Sequence, residues 1–197
     1  MDQRVDGLKK IRVKIEGISP LLMNRMTEDQ VLALRTKRKP AKSKTTEETP
    51  REEAARKMYV DADKAPYVPT ENLMSCLIGA GTYVRLDGKR QMSTSKSSIV
   101  PGFLGLHESH LPLTPSEWEV DIRPGRNPNG GEAVCLVRPR FDRWGFTVTA
   151  LLDTHQVGES LCRELFDVAL SRVGLGDFRP ARKGTFGRAV ITGWEVL

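Results

Sequence analysis

The stretch GLGDFRPARKGTFGRAVITGW, Gly174 to Trp194, decides how the chain is read. From Gly174 to Arg188 it carries four cations, Arg179, Arg182, Lys183 and Arg188, against the single acid Asp177. Glycine lets a backbone approach another chain closely or take a positive φ. The cations suit phosphate, and Phe178 and Phe186 offer faces on which a base can stack. The stretch reads as a nucleic-acid-contacting loop leading into a last strand, roughly Arg188 to Val196.

The segment before it is the clearest helix. Over residues 156–173, Val157, Leu161, Leu165 and Ala169 recur at helical spacing, widened by Phe166, Val168 and Leu170. Gly174 follows the last periodic residue, the position of a left-handed C-terminal cap. The loop therefore leaves a helix end. A dinucleotide fingerprint is excluded, because a helix precedes the glycines and Pro180 blocks one after them. Arg182-Lys183-Gly184-Thr185 has the wrong spacing and order for a P-loop.

At the other end, LKKIRVKIE at residues 8–16 alternates cleanly. Ile11, Val13 and Ile15 point one way, and Arg12, Lys14 and Glu16 the other, as in a half-buried strand. Gly17 and Pro20 interrupt it before the apolar Leu21-Leu22-Met23. Residues 27–58 change character. TKRKPAKSKTTEETPREE is polar and blocky in charge, with Lys37, Arg38, Lys39, Lys42 and Lys44 preceding the first acid, Glu47. We expect a mobile basic insertion flanked by short helices near 28–35 and 51–58. It reads either as a basic finger on a phosphate backbone or a neighbouring subunit, or as a solvated surface loop.

Pro69 and Thr70 mark a helix start, with Thr70 able to act as N-cap. Leu73, Leu77, Ala80 and Val84 share a face, and Asp87-Gly88 signals the end. Gly79 and Gly81 suggest close packing against a sheet. Ile99 to Leu106 reads as a short strand. Residues 117–152 read as an antiparallel meander in which Trp118, Val120 and Ile122 form the apolar face. Between its last two strands lies Arg138-Pro139-Arg140-Phe141-Asp142-Arg143-Trp144. Arginines interleaved with aromatics suit backbone contact plus stacking, or a strand end with solvated arginines. Strand, helix, antiparallel strands, helix and strand together predict an α+β domain over residues 1–197, a ferredoxin-like (RRM-like) sheet with helices on one face.

Composition sets the outer bounds. The 197 residues have a formal net charge of +6 and a pI of about 9.4, which favours a polyanionic partner. Cys76, Cys135 and Cys162 form no CxxC pair and sit in apolar contexts, as small buried thiols in a reducing compartment do. With three histidines, His107, His110 and His155, a tetrahedral zinc site is hard to assemble. No cofactor is expected. Neither a signal peptide nor an apolar run of transmembrane length is visible, so the expectation is a cytoplasmic protein with no membrane partner.

Three places carry a family resemblance. They are the first strand running into Gly17-Ile18-Ser19-Pro20-Leu21-Leu22, the segment Tyr67-Val68-Pro69-Thr70-Glu71-Asn72-Leu73, and the loop GLGDFRPARKGTFGRAVI. In order and spacing they resemble the RAMP superfamily of CRISPR proteins, with departures at Thr70-Glu71-Asn72, where small residues and a following Lys-Gly are usual. The resemblance implies a non-catalytic guide-RNA-binding subunit that oligomerises along the backbone of a ribonucleoprotein complex beside other subunits. It places Phe178, Arg179, Arg182, Lys183, Gly184 and Arg188 on single-stranded RNA, with Asn24, Arg25, Thr70 and Asn72 nearby; a DNA target strand is the alternative ligand. Two other readings stay open. One is a metal-independent endoribonuclease using His107, His110, Tyr83 or Lys183, with Asp61 or Asp63 as candidates for target cleavage. The other is a phage structural or assembly protein.

Overall fold

The computed structural model describes residues 7–37, 48–126, 131 and 133–197. The expectation placed on Arg38, Lys39, Lys42 and Lys44 lies outside them. In chain order the elements are β1 (Leu8–Gly17), β2 (Leu21–Leu22), α1 (Glu28–Thr36), α2 (Pro50–Arg56), β3 (Tyr67–Pro69) and α3 (Thr70–Ala80). Then come β4 (Arg85–Leu86), β5 (Arg90–Gln91), α4 (Val100–Phe103), β6 (Leu104–Leu106), β7 (His110–Pro112), β8 (Glu119–Arg126) and β9 (Ala133–Phe141). The chain closes with β10 (Gly145–Asp153), α5 (Glu159–Val168), a π-helical turn at Ala169–Val173, a 3-10 turn at Pro180–Arg182 and β11 (Ala189–Val196).

The alternation in β1 does what it predicts. Ile11, Val13 and Ile15 are fully buried, and they face Ala150, Val148 and Phe146 across β10. Each such burial contributes roughly 1.5–3 kcal/mol. β1 also pairs with β11, with a register shift between Lys14 and Ile15. The resulting four-stranded antiparallel sheet has the order β11-β1-β10-β6. With α3 preceding β6 and α5 preceding β11, this is the βαββαβ arrangement of ferredoxin-like folds. Leu73, Cys76 and Leu77 of α3 and Cys162, Leu165 and Phe166 of α5 are buried in the same core as the β1 residues.

Three expectations about the helix after Pro69 change. The helix after Pro69 stops at Ala80, and Asp87-Gly88 instead turns the small β4–β5 hairpin, with φ of 53° and 68°. Gly79 packs against Val173, and Gly81 against Ser93, whose N–H donates to the Gly81 carbonyl at 2.9 Å. Those glycines thus serve close packing against the last helical turn and the segment after β5, not against a sheet, and flanking Ala80 they weaken the helix there. Thr70 is not the N-cap. Pro69 holds that position, and the Thr70 hydroxyl donates to the Glu108 carbonyl.

The meander divides into two sheets. β8 and β9 pair with each other, and β9 pairs with β2, whereas β10 pairs with β1 and β6. At the middle of β8 the expected faces are exchanged. Ile122 is 53% exposed, while Asp121 is buried opposite Arg138. An ion pair is thus buried on the face that alternation assigns to solvent. α2 covers this second sheet: Ala54 is buried, the Arg51 guanidinium lies 4.3 Å from the Trp118 ring, and Lys57 Nζ donates to the Val137 carbonyl at 2.8 Å. The Thr49–Glu52 capping box and Pro50 begin that helix.

The cysteines also divide. Cys76 and Cys162 are buried, and burial pushes each thiol up to about 12. Cys135 is exposed on β9, against the expectation. At pH 8 a thiol-reactive disulfide reagent is therefore expected to titrate one cysteine in the native protein and three after unfolding. Rapid reaction of more than one native thiol would contradict this burial pattern.

Candidate nucleic-acid interface

The glycine-rich loop starts where α5 and its π-helical turn end. The Gly174 N–H donates to Ala169 O at 2.8 Å, and Gly174 takes a φ of 75°. The loop then lies along the connection between β1 and β2. Asp177 N–H donates to Leu22 O at 2.7 Å, and Gly187 N–H to Pro20 O at 2.8 Å. Ile18 N–H returns to Arg188 O at 2.8 Å, and Arg188 N–H donates to the Ser19 hydroxyl oxygen at 2.9 Å. Both ends of the loop are thereby fixed to the break that Gly17 and Pro20 put into the first strand.

The glycines serve the loop itself. A Cβ at Gly184 would stand 1.6 Å from the Phe178 carbonyl oxygen, and one at Gly187 1.8 Å from that of Leu175. Gly184 is buried and does not offer its backbone to a ligand as expected. Phe186 is buried too. Its ring lies 6.0 Å from Phe178 and 4.6 Å from the Arg123 guanidinium. Phe178, 41% exposed, keeps a face for stacking. Arg182, Lys183 and Arg188 are exposed, whereas half-buried Arg179 donates through Nη1 to Gly176 O at 2.8 Å.

Under the loop lies a cleft of 310 Å³. Asn24, Tyr59, Asn72, Cys76, Gly176 and Arg179 line it, so it joins the end of β2, the first turn of α3 and the loop. These are the three segments singled out in the sequence. Cys76, a neutral thiol here, donates toward the carbonyls of Ala169 and Gly174 at 3.2 and 3.3 Å. Asn24 is engaged through Nδ2 by Asp177 at 3.2 Å.

The Arg138–Trp144 segment does not behave as expected. Trp144 is buried, stacks on Phe146 and donates Nε1–H to the Ser19 carbonyl at 2.8 Å, so it presents no face to a base. Arg138 is buried between Asp121 and Asp177. Arg140 pairs with Asp142 at 2.6 Å, and Arg143 is exposed; these two line a separate cavity beside Trp118. Arg25 lines another groove, with Tyr59 and α1, and Lys37 sits exposed at the C-cap of α1. Thr70, tied to Glu108, flanks the cleft residue Asn72 in the chain.

The nuclease candidates fall elsewhere. His107 and His110 are exposed, with the His110 ring 4.1 Å from that of Tyr67. The Arg172 guanidinium lies 5.8 Å from the Tyr83 ring. Asp61 Oδ1 closes a turn by accepting from the Asp63 and Ala65 N–H groups. Among the described residues no group of three His, Cys, Asp or Glu is placed to hold a metal ion, and no helix is long and apolar enough to cross a membrane. Sequence reasoning missed Asp121, Arg123, Tyr59 and the part played by Asp177. For Asp121 and Arg138 the signal was their opposite charge, which becomes informative only once β8 and β9 are known to pair.

No protein-family model matches the chain, and no curated protein does. Among solved structures it is similar to a chain of the cryo-EM structure of the Type III-B Cmr-beta bound to cognate target RNA, with a TM-score of 0.56 at 12% identity. The match covers 97% of this chain and 61% of that one, so this chain spans less than two thirds of its neighbour's length. At that identity the likeness establishes a shared fold.

The loop's self-packing has a measurable consequence. Gly187 has a φ of 70° as well as the Leu175 contact. Gly187→Ala is expected to destabilise the protein by about 2 kcal/mol, lowering Tm by about 4–8 °C. An unchanged melting temperature would refute the packing described.

Proposed function

We propose that this chain is a non-catalytic subunit that binds single-stranded nucleic acid, guide RNA foremost, and oligomerises along it within a CRISPR-type ribonucleoprotein complex. One observation carries the reading. Three segments distant in the sequence meet at a single cleft beneath a loop that presents Arg182, Lys183, Arg188 and an exposed Phe178. Free cations beside an aromatic face, on a backbone held from behind, provide phosphate contact and stacking together. The fold shared with a chain of an RNA-bound Cmr complex supports the same assignment.

The open face of the sheet is a weaker candidate. Arg12 pairs there with Glu195 and Lys14 with Glu16, each at 2.9 Å, so their charge is answered within the face. Trp194 turns inward, its ring 5.8 Å from Phe166. The loop edge therefore takes the strand in this reading, with contacts to backbone and base planes and weak sequence preference.

Electrophoretic mobility of labelled single-stranded RNA and DNA across a salt series tests it. Retardation at low salt, fading steeply as salt rises, is expected. Its absence would sink the proposal. Replacing Arg182 and Lys183 together with Ala should weaken binding to all sequences alike. It should also flatten the log–log salt slope by about 1.4, since each phosphate contact on a single strand contributes about 0.7. An unaltered slope in that double variant would remove the loop from the interface.

A further inference from the structure

Asp177 has the wrong charge for its position. It sits in the middle of a cationic loop, where a carboxylate repels the phosphates that the loop would attract. Its contacts show another task. Oδ2 accepts from Arg138 Nη1 at 2.9 Å and from Asn24 Nδ2 at 3.2 Å, and Oδ1 accepts from the Phe178 N–H at 2.9 Å. Phe178 takes a φ of 50°, a conformation that non-glycine residues hold only when their surroundings enforce it. The Asp177 carboxylate supplies part of that enforcement.

The other end of Arg138 is held by the hairpin. Nη2 donates to Asp121 Oδ2 at 3.1 Å, and Asp121 also pairs with Arg123 Nε at 2.7 Å. Arg123 in turn covers Phe186, the ring neighbour of Phe178. The loop and the β8–β9 hairpin are thus joined twice, by one buried guanidinium shared between two aspartates and by a cation–aromatic stack. Arg138 is 4% exposed, and its Nε has no partner. A buried pair of this kind adds little net stability but costs much when one member is removed.

We infer that Asp177 and Arg138 are positioning residues for the nucleic-acid interface, locking the loop to the β8–β9 hairpin so that Phe178 and the loop cations face the strand together. The inference rests on the function proposed above. Its test separates the two.

Asp177→Asn removes a negative charge beside the proposed phosphate site, so electrostatics alone would tighten binding. Positioning gives the opposite sign. A mixed-sequence 20-nucleotide single-stranded RNA should bind the full chain carrying Asp177→Asn about tenfold more weakly. The salt slope should match that of the wild type, because every cation remains. Equal or tighter binding would overturn the inference. A second measurement needs no RNA. Below the melting temperature, tryptic cleavage after Arg182 and Lys183 should be severalfold faster in Asp177→Asn, and an unchanged rate also overturns it. If the wild type binds no RNA, the proposed function fails while the proteolysis still decides on the lock. Asp121→Asn lies outside the loop and should weaken RNA binding in the same way. The double variant should lose less than the sum of the two singles, since both aspartates hold the Arg138 guanidinium while Asp121 also holds Arg123. Fully additive losses would overturn the shared lock.

Discussion

Two backbone N–H groups, those of Asp177 and Gly187, donate to the carbonyls of Leu22 and Pro20, and the candidate interface depends on them. They fasten the loop after the last helix to the interruption after the first strand. A buried backbone N–H or carbonyl without a partner is costly, so a chain that breaks a strand must satisfy its orphaned groups elsewhere. The break at Gly17 and Pro20 creates that demand, and the glycine-rich loop meets it. The cleft below the loop follows from the same arrangement, because α3 enters from Pro69 directly beneath.

The legible parts of the fold were those in which burial is one-sided. β1, with Ile11, Val13 and Ile15 alternating against charged neighbours, announces itself, as do the apolar stripe of α5 and the final strand β11. Periodicity records which side of an element leaves water. It does not record what that side meets. The division of the meander was therefore hidden, since β9 and β10 read alike whether or not they pair. In the middle of β8 the periodic signal misled, because Ile122 stays in water while Asp121 leaves it, stabilised by Arg138 from the next strand.

The candidate site was legible in outline for a related reason. Glycine, aromatic and basic residues in one short stretch mark a loop with unusual backbone and free charge, and Arg182, Lys183, Arg188 and Phe178 remain at the surface. Composition cannot separate a cation that faces solvent from one consumed inside the protein. Arg138 and Arg182 look equivalent in the sequence, yet one is buried between two carboxylates and the other is free. Trp144 poses the same problem for aromatics. Its ring fills the space over Gly17, where a Cβ would come within 2.2 Å of the indole nitrogen. The +6 net charge thus overstates what any ligand meets at one place.

The borders of the main sheet bear on what can pair with it. β6, on one border, is three residues long, and β11, on the other, carries an irregularity where its pairing with β1 shifts between Lys14 and Ile15. Short or bulged border strands present a broken row of donors and acceptors, a poor template for a neighbouring strand. Any molecule that docks beside this sheet would then be met by loops and helices, leaving the sheet itself closed to strand addition.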